Sequence, residues 1–224
     1  MNFLQLAQSL RQECGVAGQG PASTVNQIGE AKRLVDWINA AWLEIQGLFE
    51  WSFAQNDFSF TTTNGQGEYT PANAGISDFR SWKLDTLRVY PTAVGVDGEV
   101  ELDIADYDSF KSMWRYGRRA SGQPITMAVR PRDNALMLGP IPDVVGYTVV
   151  GEYNRLPVSL SGDTATPTLP SDLHMVIVYK AMQYYALFES APEVKARADA
   201  GYQAMIGRME RDHLEPLQLA GSLA

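Results

Sequence analysis

The stretch Leu169–Arg211, LPSDLHMVIVYKAMQYYALFESAPEVKARADAGYQAMIGRMER, constrains the fold more than any other part of the chain. Apolar residues recur at Leu173, Val176, Ile177, Ala181, Tyr184 and Phe188, the spacing of one helix face. A second stripe runs through Val194, Ala198, Gly201, Tyr202, Met205, Ile206 and Met209. Ser190-Ala191-Pro192 divides them, so the stretch predicts a helical hairpin. Ser171 or Asp172 is expected to cap its first helix. Ser190 with Glu193 is expected to form a capping box for the second, with Pro192 in the first turn. Gly201 and Gly207, each costing roughly 1 kcal/mol inside a helix, mark expected close contacts.

Two helices with wide apolar stripes need cover, and Glu30–Phe49 supplies it. Ala31, Leu34, Val35, Ile38, Ala41, Trp42, Ile45 and Phe49 predict an amphipathic helix ~28 Å long. Phe3, Leu6, Ala7 and Leu10 predict a shorter helix before it, broken by Gly15, Gly18, Gly20 and Pro21.

Between these helical ends the period changes. Phe53, Phe58 and Phe60 lead into Thr61-Thr62-Thr63, a strand composition. Asn64-Gly65 predicts a turn, with Gly67–Pro71 as the return strand. Further strands are expected at Asp85–Tyr90, Val100–Ile104, Ile125–Arg130, Ala135–Leu138 and Tyr147–Tyr153. Ala105–Phe110 begins a short helix that runs on through Trp114 and Tyr116 to Gly117. Turns this regular predict a small sheet or sandwich without βαβ units. The fold class is therefore α+β: an α-helical bundle of N-terminal helices and a C-terminal hairpin, with an inserted antiparallel β-rich lobe. The expected domains are 1–50 with 168–213 as the bundle, 51–167 as the lobe, and 214–224 as a C-terminal tail.

Composition narrows the function classes. Lys plus Arg is 18 against 26 Asp plus Glu, a net charge of −8, which argues against tight sequence-reading of nucleic acid. A lone cysteine, Cys14, rules out an intrachain disulfide and reads as a small buried hydrophobe. No window approaches the ~18 apolar residues of a membrane span. Met1–Leu10 lacks the basic start of a signal peptide, so assembly in the cytoplasm is expected.

No catalytic signature emerges, and neither a cofactor nor a metal is expected. His174 and His213 are the only histidines, and His174 reads as a surface or loop contact in a first helical turn. Glu99, Glu101, Asp103, Asp106 and Asp108 could resemble a glycosidase pair. A solvated strand edge that discourages sheet-to-sheet pairing explains them more cheaply. Trp114, Arg115, Tyr116, Arg118 and Arg119 form one basic-aromatic cluster. It reads either as a contact to a partner or DNA, or as a solvated loop with anchoring aromatics.

Several stretches, taken in order, carry a resemblance. They are Phe3-Leu4-Gln5-Leu6-Ala7 with Glu13-Cys14-Gly15, then Val35-Asp36-Trp37-Ile38-Asn39-Ala40-Ala41-Trp42. Phe58-Ser59-Phe60, Gly67-Glu68-Tyr69 and Leu136-Met137-Leu138-Gly139-Pro140-Ile141-Pro142-Asp143 follow. Leu169-Pro170-Ser171-Asp172-Leu173-His174 leads into Tyr179-Lys180-Ala181. Together they resemble the head-to-tail adaptors of tailed bacteriophages, of the tail tubular protein A-like type. The resemblance implies a non-enzymatic virion protein forming a ring, commonly a dodecamer, under the portal protein. Such a ring extends the channel through which DNA passes without sequence-specific binding, and meets a downstream tail or nozzle protein. Portal docking is expected at Leu214, Glu215, Pro216, Leu217, Gln218, Leu219 and Leu223. Subunit or tail-partner contact is expected at Trp114, Arg115, Tyr116, Arg118 and Arg119. Other neck or tail-completion rings, a carbohydrate- or cell-surface-binding protein, and a muralytic enzyme using the Glu99–Asp108 acids are the alternatives.

Overall fold

The computed structural model describes residues 1–16, 18, 20–117, 119–144 and 146–214. In chain order the elements are α1 (Phe3–Glu13), α2 (Gly29–Leu48), β1 (Gln55–Thr61), β2 (Glu68–Tyr69), β3 (Phe79–Pro91), β4 (Val100–Glu101) and β5 (Asp103–Ile104). Then come α3 (Tyr107–Trp114), β6 (Thr126–Arg130), β7 (Ala135–Gly139), β8 (Tyr147–Arg155), α4 (Met175–Glu189) and α5 (Pro192–His213). The chain is α+β, with a helical part and a β-rich part. Two compact units divide it: Met1–Ala54 with the described residues from Pro157 onward, and Gln55–Leu156.

In the helical unit, α1 begins with a capping box, as Asn2 and Gln5 each accept the other's backbone N–H at 2.9 Å. Its buried stripe is Phe3, Leu6, Ala7 and Leu10. Helix α4 is the centre of the unit, packing against α1, α2 and α5. Three consecutive residues, Val176, Ile177 and Val178, are fully buried, so α4 is covered all round and not on one stripe. Each such aliphatic side chain contributes roughly 1.5–3 kcal/mol on burial. Two amides of α2 pin the incoming strand-like segment 158–160. Asn39 accepts from Leu160 N–H at 2.8 Å and donates to its carbonyl at 3.1 Å. Gln46, two turns on, does the same with Val158, at 3.1 Å in both directions.

The hairpin's caps differ from the sequence expectation. A short 3-10 turn, Ser171–Leu173, precedes α4, whose N-cap is His174; neither Ser171 nor Asp172 caps it. Asp172 instead pairs with Arg208 of α5. Ser190 adopts the left-handed conformation (φ 54°) and ends α4, with Ala191 N–H bonding back to the Ala186 carbonyl at 3.0 Å. That is a Schellman turn, so Ser190 closes one helix and cannot open the next. Pro192 does occupy the first turn of α5.

In the β-rich unit, two four-stranded sheets run in the orders β1-β8-β3-β4 and β2-β7-β6-β5. The expected β1–β2 hairpin does not form: β1 pairs with β8 and β2 with β7, in different sheets. Val100–Ile104 is also not one strand. It breaks at buried Leu102, leaving β4 on the first sheet and β5 on the second. Strand β5 lies parallel to β6 with α3 between them in sequence, so one βαβ crossover exists where none was expected. The other strand pairings are antiparallel, and an isolated parallel bridge joins Ser121 to Ile141. Phe58, Leu87, Val89 and Val149 of the first sheet share a core with Tyr69, Met127, Leu136 and Leu138 of the second. The far face of the second sheet, at Ala128 and Met137, is covered by Phe110 of α3.

Candidate interaction surfaces

The hairpin packs α5 closely against α4. At Gly201 the helix comes so close to α4 that a Cβ would lie 2.8 Å from the Tyr179 ring. Gly207 has open space around it instead. Lys180 of α4 bridges to Glu44 of α2 at 2.7 Å, and Tyr184 also donates to Glu44. Burial works against ionised Glu44, but these two donors outweigh it and hold the carboxyl below its usual range. At the far end of α5, His213 packs edge-on against Phe53 and lies 3.1 Å from the Ser52 hydroxyl. Leu214 follows in extended conformation, half-buried against the helical core. The remaining expected portal contacts, Glu215, Pro216, Leu217, Gln218, Leu219 and Leu223, lie outside the described residues.

His174 is buried, at 2% exposure, and is not the surface contact its place in the sequence suggested. Its Nδ1 lies 2.6 Å from the Met1 amino group and its Nε2 lies 2.9 Å from the Leu169 carbonyl. This arrangement fits a neutral ring that accepts at Nδ1 and donates at Nε2. Burial, reinforced by the neighbouring ammonium, pushes its pKa below the ordinary value. It ties the start of the chain to the hairpin.

In the lobe, Asp106 caps α3 by accepting from the N–H groups of Asp108 and Ser109, both at 3.1 Å. The helix ends at Trp114, two residues short of the expected Tyr116. The basic-aromatic cluster then splits by depth. Trp114 lies against Gly139, where a Cβ would fall 2.6 Å from the indole ring. Arg115 turns inward and donates to the carbonyls of Gly67 (2.8 Å) and Leu138 (3.3 Å). Tyr116, at 64% exposure, and Arg119 face solvent. Arg118 lies outside the described residues.

The acidic run does not converge on one point. Glu101 pairs with Arg88 across β3–β4 at 3.7 Å, Asp106 caps α3, and Asp108 pairs with Lys111 at 2.7 Å. Among the described residues, no three His, Cys, Asp or Glu side chains gather as metal ligands. No described helix is long and apolar enough to cross a membrane. The first sheet's outer face, however, carries a feature that the one-dimensional pattern hid. A cleft of about 520 Å³ is lined by Asp57, Ser59, Thr86, Arg88, Glu99 and Glu152, together with Phe58, Val150 and Gly151. A bulge in β3 shapes it: Lys83 pairs with Glu152 but Arg88 with Val150, so the four residues 84–87 oppose the single residue Gly151. Thr86 fills the bulge, accepting from Glu152 N–H at 2.9 Å and donating to the Lys83 carbonyl at 2.7 Å. The threonine and the glycine at 151 were the only local signals for it.

Among solved structures, a chain in the virion of a native gene transfer agent particle is similar at 22% identity. The likeness covers 80% of this chain and 76% of that one, with a TM-score of 0.24. No curated protein matches. The model of the SU10 adaptor protein family matches residues 1–220, nearly the whole length. By that match the chain belongs to the SU10 adaptor protein family, and is a phage structural adaptor.

Proposed function

We propose that this chain is a head-to-tail adaptor of the tail tubular protein A-like kind, joining capsid to tail. Copies form a ring, commonly of twelve, beneath the portal protein and extend the DNA channel toward the next tail or nozzle protein. The observation that carries this reading is the family match over residues 1–220. The build of the chain supports it. Helix α5 is an arm of 22 residues, ~33 Å long, braced by α4 along its length and by Phe53 and Ser52 at its end. Beyond it, Pro216–Ala224 contains no charged residue, a composition that gains by burial on a partner. We assign portal docking to Leu214, Glu215, Pro216, Leu217, Gln218, Leu219 and Leu223.

A net charge of −8 suits a wall past which DNA slides without being held. The role is structural and not enzymatic: of the acids that might have formed a catalytic pair, Asp106 caps α3 and Glu101 and Asp108 are held in ion pairs. Assembly takes place in the host cytoplasm and the product resides in the virion neck. Electron microscopy or native mass spectrometry of the chain mixed with its portal tests the reading. A ring complex is expected, and a chain that stays monomeric and indifferent to portal refutes it. Truncation after His213 is expected to abolish portal binding while leaving the helical circular dichroism signal intact. Unimpaired binding would move the contact elsewhere.

A further inference from the structure

A closed ring of identical copies joins two different patches, one on each side of the subunit. The lobe has two such sides. Its layers run α3, second sheet, shared core, first sheet, because Phe110 covers one face of the second sheet and the joint core fills the space between sheets. Beyond α3 lie exposed Tyr116 and Arg119, with Trp114 and Arg115 as their anchors. On the opposite side, no layer of the lobe covers the outer face of the first sheet, which holds the 520 Å³ cleft.

The charges of that cleft are left unbalanced. Asp57 stands directly across from Glu152 in the β1–β8 register, and like charges so placed destabilise a strand pair. Lys83 offsets Glu152 at 3.2 Å, and Arg88 is engaged with Glu101 at 3.7 Å. Asp57 and Glu99, both exposed, form an ion pair with none of the described residues. With Val150 in the same lining, these carboxylates match a guanidinium, whose flat fork takes carboxylate oxygens while its stem lies on apolar surface.

We propose that the corner carrying Tyr116 and Arg119 in one copy docks in the Asp57–Glu99–Glu152 cleft of the next. Two cleft faces brought together would set acid against acid, so the contact runs head to tail. That polarity is what ring closure requires. The proposal rests on the ring reading and names the lobe surfaces that make the ring.

Cross-linking tests it on the full chain, alone and with portal. Cys14 does not interfere: burial pushes its thiol up to about 12, more than Arg197 lowers it. Copies bearing Ser59→Cys, at the cleft, are mixed with copies bearing Ala120→Cys, beside Arg119, and oxidised. Disulfide-linked dimers are expected between the two variants and not within either alone. Asp57→Lys with Glu99→Lys should cut their yield about tenfold, the effect of one lost cross-interface charge pair. Arg119→Glu in the partner copy should restore it. Rings seen by native mass spectrometry without a preferred 59–120 link would overturn this contact and leave the ring standing. Monomers under every condition would overturn both.

Discussion

Replacing Gly201 by alanine adds one carbon at the tightest point of the α4–α5 hairpin. That Cβ would sit 2.8 Å from Cδ1, Cε1 and Cζ of Tyr179. Carbon atoms rest about 3.5–4.0 Å apart, so the ring or the helix must yield by roughly 1 Å. Overpacking of this kind costs about 1–3 kcal/mol. Alanine returns about 1 kcal/mol of helix propensity, which leaves a net loss of about 1 kcal/mol. Gly207 lies six residues further along the same helix with nothing within 4 Å of its added Cβ. Gly207→Ala therefore gains the propensity without the clash and should stabilise by about 1 kcal/mol. The difference between the two variants cancels propensity and isolates the steric contact at about 2 kcal/mol. Urea titrations followed by far-UV circular dichroism measure it, and melting temperatures should differ by about 4–8 °C. If Gly201→Ala proves as stable as Gly207→Ala, the close approach of α5 to Tyr179 is not a constraint and α5 is not the braced arm described above.

Asn39→Ala removes both hydrogen bonds to Leu160 and orphans a backbone donor and acceptor, so it should cost about 1–3 kcal/mol in the same urea assay; unchanged stability would show that the 158–160 segment is held by packing alone. His174 gives a pH dependence of defined sign. Its folded pKa lies below the ordinary 6.5 because burial, and then the Met1 ammonium, disfavour the imidazolium against the pull of Leu169 and Asp172. The unfolded chain therefore takes up its proton first as pH falls. Stability from this site is complete above about 6.5 and is lost progressively below it, toward the folded pKa. His174→Gln should flatten the urea midpoint between pH 7.5 and 5.5 relative to wild type, and an equal slope in both proteins would remove His174 as the cause.

The helices were legible because period and burial coincide in them. Leu34, Val35, Ile38, Ala41, Trp42 and Ile45 of the sequence stripe are all buried in α2, and the stripe departs from burial only at its ends, Ala31 and Phe49, and at buried Gln46. The lobe was legible as strands but not as pairings, and the reason is physical. Strand composition reports burial on a pleated surface, whereas pairing is decided by partners far away in sequence. Asn64-Gly65 does make a turn, but its two flanking strands part to β8 and β7, so a local hairpin signal served a crossing between sheets. Val100–Ile104 shows the same limit. Its apolar alternation is real, yet only Leu102 is buried, because the segment leaves one sheet and joins the other within five residues. Caps failed where one residue was eligible for two jobs: Ser190 suits a helix start, but a left-handed backbone there satisfies the end of α4.

The candidate surfaces were harder to read than the core, and Trp114–Arg119 shows why. In sequence these side chains form one cluster with a single chemistry. In the fold, the end of α3 places Trp114 and Arg115 against Gly139, Gly67 and Leu138, and leaves Tyr116 and Arg119 outside. Among the described members of the cluster, the second pair is the more open to a partner, while the first pair is held against the lobe. The cleft across the lobe was invisible for a related reason, since Asp57 of β1, Glu152 of β8 and Glu99, just before β4, come from three separate segments brought together in one sheet. Neither surface has the periodic burial that makes a helix readable. Both depend on the crossing at Leu102 and the bulge at Thr86, which fix α3 on one side of the lobe and open the first sheet on the other. Substitutions at those two positions should therefore disturb assembly through geometry while leaving every surface charge in place.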